Sequence, residues 1–403
     1  MLFEPARHEP LHAPPWDPAA ARGAIAAIVD QLERSRDAGA GWPVHPLDAD
    51  EPPPAGGYKS LYFGSAGVLW ALWYLQREGA VTLRADPREG LDELEASYRA
   101  APDTGEVVPS YFLGEVGIEL VRWRMTGDPD AADRMHAAIE ANIANPTNEA
   151  LWAAPGTMVA AWHLWEATRE PRWQALFMDN VEQLWRTWLP DPQAGCHLWT
   201  QDLYGHIVKL LGAGHGFAGN VYPLLRGAAL LDDARRESLR ARCLQTLAAT
   251  QLRDGDAANW PPGVGPPRPG RTAVLMQWCH GAPGIVTSLL HYPPGVSPEM
   301  EALLRRAGEA VWRAGPLAKG AGLCHGTAGN GYALLALHAR TGDPLWLDRA
   351  RVFAMHAALQ SERMRASYAA VRPSLWTGDA GVAVFLWHCV QGGGSLPGLD
   401  FIG

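Results

Sequence analysis

The stretch Gly64-Ser65-Ala66-Gly67-Val68-Leu69-Trp70-Ala71-Leu72-Trp73-Tyr74-Leu75 carries the pattern from which the architecture follows. Two glycines open a run of helix-forming apolar residues, without the alternation of apolar and polar residues that is typical of strands. The same step recurs at Gly114/Gly117, Gly216/Gly219, Gly281/Gly284, Gly326/Gly329 and Gly378/Gly381, and a seventh copy, Ala153/Gly156, lacks the first glycine. Such recurrence indicates a repeat protein.

Each repeat has room for two helices, because successive copies lie 39 to 65 residues apart. The turns between the paired helices are visible at Thr126-Gly127-Asp128-Pro129 and Thr341-Gly342-Asp343-Pro344, where glycine ends one helix and Asp-Pro begins the next. Thr168-Arg169-Glu170-Pro171 is a weaker version of the same signal. The sequence therefore predicts an all-α fold, an (α/α)7 toroid of seven helical hairpins whose glycine-rich turns gather at one face around a central cavity.

The chain is expected to form a single domain over residues 1–403, since no break in composition divides it. Its first 55 residues are rich in proline and are expected to pack on or near the toroid. A second Pro/Gly-rich stretch, Trp260–Gly270, indicates a long loop.

The composition argues against several classes of protein. A net charge of -9, from 34 basic and 43 acidic residues, disfavours binding to nucleic acid. The first residues lack the apolar region of a signal peptide, and no long uncharged apolar segment predicts a membrane span. We therefore expect a soluble cytoplasmic protein, in which five cysteines are more consistent with metal binding or catalysis than with disulfides.

Two glycine turns contain residues that can bind a metal. They are Trp278-Cys279-His280-Gly281-Ala282-Pro283-Gly284 and Cys324-His325-Gly326-Thr327-Ala328-Gly329. Because Cys279, Cys324 and His325 begin equivalent turns, they should face the same cavity. Two thiolates and one imidazole leave a fourth zinc position open, as in catalytic sites, so one Zn²⁺ per chain is predicted. Cys196, Cys243 and Cys389 are expected to be ordinary buried residues.

A zinc with two thiolate ligands favours the activation of a thiol over the activation of water. The thiolates cancel the formal charge of the metal, so a bound thiol can lose its proton and still remain nucleophilic. Hydrolytic zinc is more often bound by histidines and carboxylates.

Three further residues are candidates for catalysis. His215, one residue before Gly216, occupies the same position in its turn as His280 and His325, and could transfer a proton at neutral pH. Glu149 precedes Gly156 and could assist, although a carboxylate there is commonly only a helix N-terminal charge. Lys319 precedes Cys324 and could hold an anion, or could be a solvated surface lysine.

These motifs resemble those of the lanthionine synthetase C-like (LanC and LanC-like) family over most of the chain, from about Tyr62 to Trp387. The resemblance implies a toroid of seven inner and seven outer helices with one zinc at its centre. It implies that Cys279, Cys324 and His325 bind the zinc, that His215 is the acid/base residue, and that Glu149 is the family's carboxylate near the site.

The details resemble the stand-alone LanC-like branch more than the lantibiotic cyclases. Those cyclases typically have Tyr after the first zinc cysteine and Arg four residues before it, where this chain has His280 and Leu275. The resemblance to the LanC-like branch implies addition of glutathione to dehydroamino acids, and elimination of phosphate from phosphorylated Ser or Thr with the help of Lys319.

The leading hypothesis is a zinc-dependent enzyme that adds a thiol, from a peptide cysteine or glutathione, to dehydroalanine or dehydrobutyrine in a peptide or protein. The alternative from another class is a non-catalytic peptide- or protein-binding scaffold that retains zinc. A glycosidase would need paired acidic residues at the cavity. Few acidic residues lie close to the glycine turns, Glu149 and Asp379 among them, which disfavours this class. The physiological substrate, a partner dehydratase or kinase, and the oligomeric state stay open.

Overall fold

The computed structural model describes residues 1–37, 41–49, 52–265 and 274–403, so the last part of the predicted loop at 260–270 lies outside the described residues. Within them the chain forms fourteen α-helices. In chain order these are α1 (Pro18–Arg34), α2 (Ser65–Arg77), α3 (Leu91–Ala100), α4 (Glu115–Thr126), α5 (Pro129–Asn142), α6 (Ala154–Thr168), α7 (Pro171–Thr187), α8 (Phe217–Arg226), α9 (Asp233–Thr250), α10 (Ala282–Ser288), α11 (Pro298–Ala314), α12 (Thr327–Thr341), α13 (Pro344–Tyr368) and α14 (Asp379–Gln391).

The even-numbered helices form a closed inner ring. Each contacts the next even-numbered helix, and α14 contacts α2 to close the circle. Each of these helices is buried along most of its length, whereas the odd-numbered outer helices bury only one face. The predicted (α/α)7 toroid is therefore confirmed.

The seventh hairpin differs from the other six, because its helices come from opposite ends of the sequence. The inner helix α14 packs against α1, which lies within the proline-rich first 55 residues. The repeat pattern suggested seven consecutive hairpins, but no second helix follows α14 in the described residues. The N-terminal segment thus supplies an outer helix of the ring.

The second glycine of each turn is required by close packing against the main chain. In all seven copies, a Cβ at this position would lie under 3.0 Å from the carbonyl oxygen six residues earlier. The seven glycines are Gly67, Gly117, Gly156, Gly219, Gly284, Gly329 and Gly381. The loop also supplies hydrogen-bond acceptors to the first N–H groups of the inner helices, as in Phe217 N to Leu210 O at 3.0 Å and Thr327 N to Gly320 O at 3.0 Å.

Five of the seven outer helices in the described residues begin differently, with a side-chain cap. Asp128 accepts a hydrogen bond from Asp130 N at 3.0 Å, and Asp343 accepts one from Leu345 N at 2.9 Å. The preceding Gly127 and Gly342 adopt φ angles of 74° and 68°, the left-handed conformation that commonly ends a helix. The punctuation predicted between paired helices is confirmed.

Among the described residues, six short strands form three antiparallel hairpins. They lie between α7 and α8 and between α9 and α10, where an outer helix is followed by an inner one. They are β1 (Leu189–Asp191) with β2 (Cys196–Leu198), β3 (Gln201–Leu203) with β4 (His206–Val208), and β5 (Leu252–Asp254) with β6 (Ala257–Asn259). The all-α prediction did not include these strands. The strands matter for the site because β3 and β4 lie close to His215.

The chain segment after α14 covers the ends of the inner helices opposite to the glycine turns. Trp70 Nε1 donates to Ile402 O at 2.9 Å, and Arg226 donates to Asp400 O at 2.7 Å. Phe401 packs on Trp70 and on His388. This segment therefore closes one end of the ring, and the glycine turns lie at the other end. In the described part of the chain, no helix has the length and apolar character needed to cross a bilayer.

Candidate metal centre and active site

The glycine turns are connected to one another by main-chain hydrogen bonds. The bonds join residues that each lie two positions before the first glycine of their turn, at separations of 2.8 to 3.2 Å. The series runs from Gly214 N to Cys279 O, Cys279 N to Cys324 O, Cys324 N to Trp376 O, Trp376 N to Tyr62 O, and Tyr62 N to Phe112 O. Equivalent positions in distant segments thus become neighbours around the cavity.

This arrangement brings together three side chains that could hold a metal ion. One donor atom from each of Cys279, Cys324 and His325 lies within 4.8 Å of the other two. Both cysteines are buried and His325 is half-buried. Cys279 and Cys324 occupy equivalent positions in successive turns, and His325 follows Cys324 directly, so the ring of turns accounts for their convergence.

The donor set fits zinc. With Zn–S at about 2.3 Å and Zn–N at about 2.0 Å, tetrahedral ligands lie about 4 Å or less from one another, so small side-chain shifts suffice to form such a site. Gln277 Nε2 donates to Cys279 Sγ at 3.0 Å, and the Tyr62 hydroxyl contacts Cys324. Hydrogen bonds of this kind orient metal ligands and stabilise charge on sulfur.

The two thiols also influence each other. The hydrogen bond from Cys324 holds the pKa of Cys279 well below its usual value, against the effect of burial. Burial raises the pKa of Cys324 well above its usual value, and the neighbouring Cys279 raises it further. Both sulfur atoms would bind a metal ion as thiolates, in place of their protons.

The second half of the site is an imidazole and a carboxylate. His215 Nδ1 lies 2.8 Å from Glu149 Oε2, and the Glu149 side chain has no solvent exposure. Burial lowers the pKa of His215, but the hydrogen bond and the charge of Glu149 outweigh it, so the pKa is raised. With Nδ1–H donating to Glu149, His215 can present its Nε2 to a substrate.

Glu149 is held in place by the turn that lost its first glycine. Its carboxylate accepts hydrogen bonds from Leu151 N at 3.1 Å and from Trp152 N at 2.7 Å. Leu151 lies two residues before the start of its turn, like the residues whose backbone N–H groups connect the other turns. The N–H of Leu151 donates to the Glu149 carboxylate instead. The irregular copy of the repeat therefore holds the Glu149 carboxylate against His215.

His280 and Lys319 complete the surroundings. The His280 ring stacks on His215, with centroids 5.6 Å apart and an angle of 29° between the planes, and burial lowers its pKa. Lys319 is exposed in the loop before α12. Its positive charge acts to lower the pKa of Cys324, although burial dominates there. Lys319 thus lies on the solvent side of the metal cluster, the name used below for the candidate ligands Cys279, Cys324 and His325.

Several residues at the site were not singled out from the sequence. Tyr62 occupies the position in its turn that Cys279 and Cys324 occupy in theirs, so a superposition of the copies could have identified it. Gln277 has no comparable signal. Tyr204 lies in the turn between β3 and β4, and its ring packs edge-on against His215 with centroids 6.3 Å apart.

Comparison with known proteins agrees with this geometry. Residues 58–398 match the family model described as "Lanthionine synthetase C-like protein". A solved structure titled "Nisin cyclase" superposes with a TM-score of 0.64, covering 92% of this chain and 94% of that one, at 13% sequence identity. At that identity the similarity shows the fold alone.

Two curated relatives are similar over part of their length. "Glutathione S-transferase LANCL1" of Danio rerio is 37% identical over 158 residues, which are 39% of this chain and 36% of the relative. "LanC-like protein GCL1" of Arabidopsis thaliana is 34% identical over 188 residues, 45% of this chain and 41% of the relative. The matched region thus spans about two fifths of each relative. Because the family model covers most of the sequence, the chain belongs to the lanthionine synthetase C-like family.

Proposed function

We propose that this protein is a zinc-dependent enzyme that forms thioethers by adding a thiol to dehydroalanine or dehydrobutyrine. The thiol is a peptide cysteine or glutathione, and the acceptor belongs to a peptide or protein. The observation that supports this proposal is the position of a sulfur-rich metal cluster next to a buried carboxylate–histidine pair, within one ring of turns. The cluster suits thiol activation, and the pair suits proton transfer.

The cluster residues Cys279, Cys324 and His325 would hold the zinc. When bound, this metal would lower the pKa of an incoming thiol and so provide a thiolate at neutral pH. Gln277 and Tyr62 would keep the two cysteine ligands in place through their contacts to sulfur. The half-buried His325 would leave the cavity side of the cluster accessible to the substrate.

His215 would supply the proton that completes the addition. As the sulfur bonds to the β-carbon, the π electrons of the alkene move toward the adjacent carbonyl to form an enolate. His215 Nε2 then delivers a proton to the α-carbon, and the proton lost by the thiol restores the imidazolium. Glu149 would stabilise the imidazolium and keep the ring oriented, because it binds Nδ1 and is itself held by two backbone N–H groups.

We extend the proposal to elimination of phosphate from phosphorylated Ser or Thr. In that reaction an α-proton is removed while phosphate leaves the β-carbon, which produces the dehydroamino acid that thiol addition consumes. His215 would accept the proton. The exposed ammonium of Lys319, close enough to act on Cys324, would bind the departing phosphate.

A mass-based assay tests the proposal directly. Purified protein with one equivalent of zinc is incubated with glutathione and a peptide containing dehydroalanine, and the peptide is followed by mass spectrometry. We expect a zinc-dependent increase in mass equal to one glutathione, and its loss after dialysis against a chelator. The non-catalytic scaffold would be favoured if the protein binds stoichiometric zinc but forms no thioether, either between glutathione and this peptide or within a peptide that contains both cysteine and dehydroalanine.

Replacing His215 by Asn is expected to lower kcat by about 10²–10⁴-fold, the usual contribution of a general acid or base. The bound zinc should remain stoichiometric, because His215 is not among the residues of the cluster. The matched control is His206→Asn, since His206 is exposed on β4. Wild-type kcat in His215→Asn, or loss of zinc from it, would contradict the assigned role.

A further inference from the structure

The exposed turn between β3 and β4 places an aromatic residue beside the proposed acid/base pair. Leu203 and His206 are paired in the hairpin, so Tyr204 and Gly205 form a two-residue turn. Tyr204 is 67% exposed, and its ring lies edge-on to His215. A large aromatic side chain that is so exposed contributes little to the core. Its position beside His215 is more consistent with a role in binding substrate.

The backbone of Tyr204 is in an unfavourable conformation. Its φ of 52° and the φ of 73° at Gly205 match a type I′ turn, in which Asn-Gly is the preferred pair and tyrosine is costly. The described residues contain four non-glycine residues with positive φ. Arg169 and Ala369 are helix C-caps, whereas Asn148 and Tyr204 flank the Glu149–His215 pair. Strain of this kind is often found at functional sites.

The hairpin is tied firmly to the site. Asp202 N donates to Pro146 O at 3.2 Å, and Gln201 accepts a hydrogen bond from Leu210 N at 2.8 Å. Trp152 Nε1 donates to the Tyr204 hydroxyl at 3.0 Å, while Trp152 N donates to Glu149. The Tyr204 hydroxyl accepts the hydrogen bond from the Trp152 indole, so its own hydrogen is free to be donated. In the described residues, no acceptor for that hydrogen is present.

We infer that Tyr204 binds the acceptor substrate and donates its hydroxyl hydrogen to the carbonyl oxygen that is conjugated with the alkene. This inference rests on the proposed function and names the residue that positions the dehydroamino acid. A hydrogen bond to that oxygen would orient the β-carbon toward the metal cluster and would stabilise the enolate as negative charge develops on the oxygen. The hydrogen bond from Trp152 holds the Tyr204 hydroxyl in place, and the indole lies beside it. Tyr204 and Trp152 would therefore affect binding of the dehydroamino acid and not binding of the thiol.

Two substitutions separate this role from a structural one. Tyr204→Phe removes only the hydroxyl, and we expect kcat/KM for the dehydroalanine peptide to fall about three- to tenfold, with KM for glutathione unchanged. Tyr204→Asn supplies the residue that a type I′ turn prefers. The melting temperature of Tyr204→Asn should equal or exceed that of the wild type, while its kcat/KM for the dehydroalanine peptide should be lower than that of Tyr204→Phe. Ile207→Ala, at a 70% exposed position on the same hairpin, is the control and should change neither quantity.

A binding measurement makes the result independent of turnover. Titration with the same peptide carrying alanine in place of dehydroalanine should show weaker binding by Tyr204→Phe than by Ile207→Ala. Wild-type acceptor kinetics and peptide binding in Tyr204→Phe would overturn the inference and leave the proposed function standing. A rise in KM for glutathione as large as the fall in kcat/KM for the peptide would also overturn it. If the wild type forms no adduct, the proposed function fails, and peptide binding still decides whether Tyr204 contacts the peptide.

Discussion

Cys279→Ala is expected to lose stoichiometric zinc and to reduce thiol addition to the uncatalysed rate. Changes in residues that merely contact metal ligands cost 10–100-fold in affinity, so the loss of a thiolate ligand should cost more than about 100-fold. The effect should be large because the proposed site has three protein ligands within the described residues. Zinc content by elemental analysis and adduct formation by mass spectrometry measure the two parts of this prediction.

The control for this variant is Cys243→Ala, which removes a buried thiol outside the metal cluster. It should lower stability modestly and retain both zinc and activity. Cys279→Ala is also expected to melt at the temperature of chelator-treated wild type, because it cannot gain stability from metal binding. A Cys279→Ala protein with stoichiometric zinc and wild-type turnover would refute the proposed ligand set.

Gly329→Ala is expected to destabilise the fold by about 3 kcal/mol, the upper end of what overpacking usually costs. A Cβ at Gly329 would overlap the carbonyl group of Leu323, which is main chain and cannot rotate away. Leu323 directly precedes Cys324, so the displaced turn should also bind zinc more weakly. The midpoint of urea unfolding, measured by circular dichroism, and zinc affinity report the two effects.

Gly23 provides a control in which the same substitution should raise the free energy of unfolding. Gly23 lies in the exposed part of α1, and a Cβ there would meet no atom within 4 Å. Gly23→Ala should therefore stabilise the protein by about 0.5–1 kcal/mol, as expected for removal of glycine from a helix interior. If Gly329→Ala unfolds at the same urea concentration as Gly23→Ala, close packing does not explain the second glycine of the turn.

Much of the architecture could be predicted because the repeats follow local rules. The helix-forming runs, the Gly-Asp-Pro signals and the glycine steps each depend on residues that are close in sequence. Cys279 and Cys324 could be placed in one cavity for the same reason, since equivalent positions of a closed repeat face the same axis. The aligned histidine of the preceding turn, His215, follows from the same argument.

Other features depended on contacts between segments that share no repeat position. The pairing of α1 with α14 joins the two ends of the chain, and helix packing across such a distance leaves no local signal. The hydrogen bonds from Gln277 to Cys279 and from Trp152 to Tyr204 are set by side-chain directions in irregular loops.

The sequence by itself determined the repeat, the helical class and which turns bear the candidate metal ligands, because glycine spacing and helix propensity act over a few residues. Only the tertiary structure decided that Glu149 is buried and bonded to His215, that Lys319 is exposed, and that Tyr204, with its positive φ, lies beside His215. These features depend on burial and on the position of one loop against another. Both are set only when the ring of helices closes and brings distant segments into contact.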